Sequence, residues 1–142
     1  MNIIGMVTSF SGMNPYIATG VCYLAGLAVL LVGVLIFSLV THYNDLQEIQ
    51  KGNVAVALAS GGMILGLANI LRFAIIANSS LTGVLIWGGV GIAGMLVGWL
   101  LFDIGTPQFK TSDELKKDNR AVGVIMFTAF LAISYIVGAS IS

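Results

Sequence analysis

Four long runs of apolar residues, separated by short polar interruptions, organise this chain. They extend from Tyr16 to Val40, Val54 to Ala77, Leu81 to Phe102 and Ala121 to Ile141. A helix needs roughly 20 apolar residues to cross a hydrocarbon core of about 30 Å, and each run is long enough. Apolar–polar alternation is absent and the runs exceed any barrel strand, so helix is the form that satisfies every backbone group in lipid. The pattern predicts an all-α integral membrane protein with four transmembrane helices. It divides into an external lead-in over 1–15, a first hairpin over 16–77 with a loop near 42–52, and a second hairpin over 78–142 with a loop near 103–120.

Composition strengthens this picture. Of 142 residues, 58% are hydrophobic and 8% charged, against roughly a quarter charged in soluble domains. Six basic and six acidic residues cancel, which excludes a basic nucleic-acid-binding surface and a disordered chain. Eighteen Gly against two Pro suit helices packed closely in lipid. Lys51 lies in the first loop, and Lys110, Lys116, Lys117 and Arg120 lie in the second. The N-terminal stretch, the Asn78–Ser79–Ser80 turn and the C-terminus carry no basic side chain. The positive-inside rule then puts both loops in the cytoplasm and both termini outside. No basic segment precedes the first run, so a cleaved signal peptide is not expected.

The chain also repeats itself. Gly26-Leu-Ala-Val-Leu-Leu-Val-Gly-Val-Leu-Ile-Phe37 aligns with Gly91-Ile-Ala-Gly-Met-Leu-Val-Gly-Trp-Leu-Leu-Phe102. Glu48-Ile-Gln-Lys-Gly-Asn-Val-Ala-Val-Ala-Leu58 aligns with Glu114-Leu-Lys-Lys-Asp-Asn-Arg-Ala-Val-Gly-Val124. The second match carries more weight, because it holds Glu, Lys, Asn and Ala at fixed places in a polar stretch. A hairpin returns to its starting side, so the two copies would be tandem helical hairpins related by a parallel pseudo-twofold along the membrane normal.

An acidic residue, then Gly-Asn or Asp-Asn, then Ala at the head of a Gly-rich helix resembles the YjfL-like family of bacterial inner-membrane proteins of unknown function. The resemblance runs from about Tyr16 to the C-terminus. It is fullest at Gly52-Asn53-Val-Ala55-Val-Ala57 through Gly61-Gly62, and weaker at Asp118-Asn119-Arg-Ala121-Val-Gly123, where Phe127 and Thr128 replace the glycine pair. It implies a hairpin carried in tandem, a bacterial inner-membrane location, no known catalytic chemistry, and a role in membrane stress or envelope maintenance.

Several residues stand out as candidates. Ala55, Ala59, Gly62, Gly66 and Asn69 recur every three or four positions on one helical face, and Gly94 with Gly98 offers a second small-residue pair for helix packing. Arg72 is the one charge well inside a predicted span. A charge near a helix centre costs about 2.5–3.5 kcal/mol, and less where the side chain snorkels to the interface. In the repeat register Asn69 matches Tyr135, which predicts an Asn69–Arg72–Tyr135 polar cluster near the outer leaflet, with Ser134 at similar depth. Asp103, towards the other side, reads as an interfacial carboxylate. Asn53 and Asn119 are equivalent interfacial amides able to bridge helix backbones. Asp45-Leu-Gln-Glu48 and Thr111-Ser-Asp-Glu114 read as capping boxes, starting helices two and four a turn or two before the membrane.

Catalytic chemistry finds little support. His42 is the only histidine and Cys22 the only cysteine, too few for zinc or a disulfide. No nucleophile–base set, phosphate loop or dinucleotide fingerprint is present, so no cofactor or metal is expected. The leading expectation is a non-enzymatic inner-membrane scaffold or accessory protein. Its partners would be the bilayer, a second copy or another membrane protein, and a cytoplasmic partner at the charged loops. The alternative is a small oligomeric channel or transporter with Asn69 and Arg72 on the path.

Overall fold

The computed structural model describes residues 9–41, 44–108 and 110–141. Among these residues six helices follow one another: α1 (Pro15–Val40), α2 (Asp45–Gln50), α3 (Val54–Ala77), α4 (Leu81–Gly105), α5 (Thr111–Lys116) and α6 (Arg120–Ile141). The four long ones hold 22 to 26 residues. At 1.5 Å per residue they are about 33–39 Å long, enough to cross a bilayer. The protein is therefore an all-α membrane protein with four spans, and the short α2 and α5 lie at one end of the bundle.

Local sequence sets the boundaries. Pro15 opens α1, where its missing N–H costs nothing, and the Asn14 side chain accepts from the Tyr16 N–H at 3.0 Å. The Ser80 hydroxyl caps α4 by accepting from the Gly83 N–H at 3.2 Å. At the end of α3, the Asn78 amide donates back to the Ala74 carbonyl at 2.8 Å. The end of the lead-in lies along the α3–α4 turn, with the Phe10 N–H donating to the Ser79 carbonyl at 2.9 Å. Residues 1–8 and His42 lie outside the described residues.

The helices bury unequal shares of themselves. Half of the most apolar stretch of α3 is buried, against 11% of that of α1. The α3–α6 contact is the most extensive in the bundle, and α4 packs across both. Ala55 meets Gly123, Gly62 meets Phe127, Gly66 meets Phe130 and Phe73 meets Gly138. The numbers rise together, so α3 and α6 run side by side in the same direction. The core gathers Phe37, Met63, Leu67, Met95, Trp99, Leu115, Met126 and Phe130. From α1 only Gly33 and Phe37 are buried, with the Phe37 ring meeting Phe130 edge-on at 5.7 Å and 81°.

Candidate functional site

The two polar turns at the short-helix end share one hydrogen-bond pattern. Gly52 (φ +86°) and Asp118 (φ +56°) both take the left-handed conformation just past a short helix. The N–H of Gly52 donates to Ile49 and that of Asn53 to Glu48; the N–H of Asp118 donates to Leu115 and that of Asn119 to Glu114. This is the Schellman arrangement, which satisfies the last carbonyls of α2 and α5. Each Asn then caps the following span: the Val56 N–H donates to Asn53 at 2.9 Å, and the Val122 N–H to Asn119 at 3.4 Å.

Each turn also folds its own charges together. Lys51 donates to Glu48 at 2.9 Å and Lys117 to Glu114 at 3.0 Å. The other carboxylate oxygen accepts from Asn53 at 3.3 Å and from Asn119 at 2.9 Å. Lys51 and the Asn53 amide hold the Glu48 carboxyl below its ordinary range. The Asn119 amide and Lys117 do the same for Glu114, which in turn raises Lys117.

Two sequence expectations need correction here. Asp45 and Thr111 are first helical residues rather than caps. Asn44 caps α2, accepting from the Gln47 N–H at 3.2 Å, whereas Lys110 offers α5 no side-chain cap. Glu48 and Glu114 reach forward to Lys and Asn instead of back to a cap, so the capping boxes do not form. Nor do spans two and four begin before the membrane as continuous helices. The left-handed residues Gly52 and Asp118 separate each short helix from its span.

The turns are also wired to each other. The Asn53 amide is buried and donates to the Leu115 carbonyl at 2.8 Å and to the Lys116 carbonyl at 3.3 Å. The Asp118 carboxylate accepts from the Ala55 N–H at 2.9 Å, at the head of α3. That bond, with Arg120 nearby, holds the Asp118 carboxyl below its ordinary range. Among the described residues no reciprocal bond runs from the first turn to the head of α6. Asp118 escaped sequence reasoning, though its alignment with Gly52 marks a left-handed position that Asp tolerates.

Below the turns, Asp45, Thr41 and Ser60 border a cavity of about 20 Å³ closed by Phe37, Trp99 and Phe130, about the size of one water molecule. The Ser60 hydroxyl donates to one Asp45 oxygen at 3.4 Å. Among the described residues the other oxygen and the Thr111 hydroxyl are buried without a hydrogen-bond partner. Burial holds the Asp45 carboxyl above its ordinary range, with Ser60 pulling the other way. Asp103, at the end of α4, accepts from the Thr111 N–H at 3.3 Å.

The small-residue stripe forms the α3–α6 seam. A Cβ on Gly62 would stand 2.6 Å from the Phe127 Cα, and one on Gly123 would stand 2.8 Å from the Ala55 Cα. Gly66 sits against the Phe130 carbonyl and Met95, while Ala55 and Ala59 are buried in the same contact. From α4, Gly94 faces Val137 and Gly98 faces Ile133, both on α6.

The predicted Asn69–Arg72–Tyr135 cluster does not assemble. Asn69 donates to Ser134 at 3.2 Å, and Ser134 donates to the Leu131 carbonyl at 2.7 Å. Ser134 is fully buried and Tyr135 is 61% exposed, because one residue along α6 turns the side chain about 100° away from α3. Arg72 is exposed beside α1, on a groove walled by Tyr23, Gly26 and Leu30, with its guanidinium 5.3 Å from the Phe73 ring centre. Among the described residues it has no carboxylate partner and no bond to Asn69 or Tyr135, and no group of three His, Cys, Asp or Glu is placed to hold a metal.

Comparison with known proteins bears on the whole chain. It is 39% identical over 128 residues to the UPF0719 transmembrane protein YshE of Bacillus subtilis, covering 90% of this chain and 96% of the relative. It is 28% identical over 120 residues to the UPF0719 inner membrane protein YjfL of Escherichia coli K12, covering 84% and 89%. No solved structure matches. The model of a domain of unknown function, DUF350, matches residues 10–141, and with four spans filling that same stretch, this chain belongs to the DUF350 family of membrane proteins.

Proposed function

We propose that the protein is a non-enzymatic, non-conducting scaffold or accessory protein of the bacterial inner membrane, with its two charged turns facing the cytoplasm. The observation that carries this reading is the filled α3–α6 seam. From Ala55 to Gly138 backbone meets backbone or side chain at glycine after glycine, and one polar pair, Asn69–Ser134, interrupts it. Solute pathways need a continuous polar lining, and on α3 no polar side chain lies between Ser60 and Asn69. Instead the bundle holds the two turns in fixed register through Asn53 and Asp118, a rigid platform of charged groups and exposed side chains such as Leu46. Such a platform suits a protein partner. The Lys and Arg in the turns support the orientation.

The test is ion flux across liposomes that contain the purified protein, beside an Arg72→Leu variant, with cation, anion and proton gradients. Both proteins leave the vesicles tight under this reading. Flux that disappears or changes ion preference in the variant overturns it in favour of a channel. A photocrosslinker at Leu46 in cells supplies the positive arm, a discrete protein adduct that a charge-removing Lys116→Gln/Lys117→Gln variant diminishes.

A further inference from the structure

Among the described residues Arg72 has no counter-ion, and the sequence places the acidic side chains of this chain, and of a parallel second copy, too far away to supply one. All six Asp and Glu lie between positions 45 and 48 or between 103 and 118, at the short-helix end of the bundle. Arg72 sits in the last turns of α3, five residues before Ala77, towards the opposite end. A parallel second copy would carry its carboxylates a membrane thickness away. No acidic side chain of this chain therefore reaches the guanidinium, which is exposed and open to an anion from its surroundings.

The surroundings of Arg72 specify what kind of anion. It stands on the α3 wall of a groove of about 290 Å³ whose other wall is α1, from Cys22 to Leu30, a length of about 12 Å. The walls are apolar, with Leu27, Leu30, Leu71 and Ile75, and the groove opens sideways to where the acyl chains lie. Two features keep it open. Gly26 has only the Ile75 side-chain tip nearby, 3.8 Å from where a Cβ would stand, and Ala68 offers a single methyl. Tyr23, 64% exposed, adds a hydroxyl on the α1 wall. A planar guanidinium binds phosphate through paired N–H donors, and its position on the Phe73 ring limits the freedom it would lose on binding.

We propose that this groove binds an anionic phospholipid in the leaflet opposite the charged turns, its phosphate on Arg72 and one acyl chain between α1 and α3. A free phosphate would leave the apolar walls without an occupant, and a zwitterionic lipid would bring a cation beside Arg72. The site also accounts for α1, which contributes little to the core: a lipid chain lies where side chains of α1 and α3 do not meet.

The experiment is native mass spectrometry of the purified full chain with phosphatidylglycerol, phosphatidylcholine or inorganic phosphate. The wild type retains phosphatidylglycerol about tenfold better than phosphatidylcholine, a difference of about 1.4 kcal/mol, and phosphate does not displace it. Arg72→Gln brings the two lipids within about twofold. Gly26→Leu, which fills the groove, lowers retention of both and leaves their ratio near the wild-type value. Lys116→Gln/Lys117→Gln, at the other end, leaves the tight lipid in place. Equal retention of both lipids by the wild type overturns the proposal, as does a preference that follows the two lysines rather than Arg72. Displacement by phosphate would reduce the site to simple anion pairing and overturn the acyl-chain assignment. Elution volume and thermal unfolding confirm that each variant is folded; Arg72 is exposed and, among the described residues, makes no hydrogen bond, so its loss leaves the bundle intact.

Discussion

The turn at Asp45–Asn53 and the turn at Thr111–Asn119 have the same hydrogen bonds and different consequences. Both end a six-residue helix in a Schellman turn, both tie Glu to Lys and Asn, and both use that Asn to cap a span. Yet among the described residues only Asn53 reaches across to the other turn, and only the second turn carries a side chain, Asp118, that caps the neighbouring span. Gly52 has nothing to offer at the corresponding place. A shared local code thus sets the shape of each turn, and the difference between Gly52 and Asp118 within it makes the carboxylate link between them one-sided. The short helices start differently too, one with a half-buried carboxyl and the other with a buried hydroxyl.

Matched substitutions at equivalent positions break this comparison open. Ala57 and Gly123 each lie four residues past the capping Asn, and their N–H groups bond the Asn carbonyl alike. Gly123→Val drives a side chain into the Ala55 backbone and is expected to cost about 3 kcal/mol or more. Ala57→Val, on an exposed face, should stay within about 0.5 kcal/mol. Unfolding of both variants in detergent measures the contrast, and similar losses would mean that the seam is not where the structure puts it.

Next in size are the asparagines. Asn53→Ala removes a cap and strips the Leu115 carbonyl of its donor, about 3 kcal/mol together, whereas Asn119→Ala removes a cap worth about 1 kcal/mol. Asp118 sharpens the point. Asp118→Gly loses the bond to Ala55 but keeps the left-handed backbone comfortable, so it should destabilise less than Asp118→Ala, which loses both. Equal effects of the two would show that the cap, not the backbone, dominates.

The smallest effect is a pH dependence whose sign differs between groups. The Glu48, Glu114 and Asp118 carboxyls lie below their ordinary range. They contribute stability above the unfolded-state carboxylate value, lost as pH falls through their lowered values. Asp45 lies above its ordinary range. Its neutral form favours the fold fully below the unfolded-state value, and that advantage is lost as pH rises through the raised one. In a stability profile taken between about pH 3 and pH 8, Asp45→Asn should therefore remove the part of the loss that sets in as pH rises above the ordinary Asp value, and leave the acid-side loss of the other three carboxyls in place. An unchanged profile above that value would mean that the carboxyl is solvated after all.

Much of this architecture is readable in the residues. Four apolar runs without alternation leave helix as the only open-chain solution in lipid, and their ends coincide with α3 and come within three residues elsewhere. The small-residue stripe on α3 follows from helical periodicity alone, and the equivalence of Asn53 and Asn119 from the internal repeat. The capping boxes were misread because Ser/Thr/Asp-x-x-Glu says nothing about which residue leaves the helix, and Asn44 sits one position earlier with an equally good acceptor. The repeat register points to Tyr135 rather than Ser134 because it fixes depth within about one residue, while side-chain direction changes by about 100° per residue.

The sequence by itself determined the spans and the polar turns between them, because hydropathy and backbone hydrogen bonding in lipid act locally along the chain. Only the tertiary structure decided which faces meet. That Asp118 caps α3, that Asn69 finds Ser134, and that Arg72 looks onto α1 rather than into the bundle all depend on how helices are rotated and offset against one another. Those choices are made where glycines let backbones touch, through contacts between residues some sixty positions apart, which no local pattern encodes.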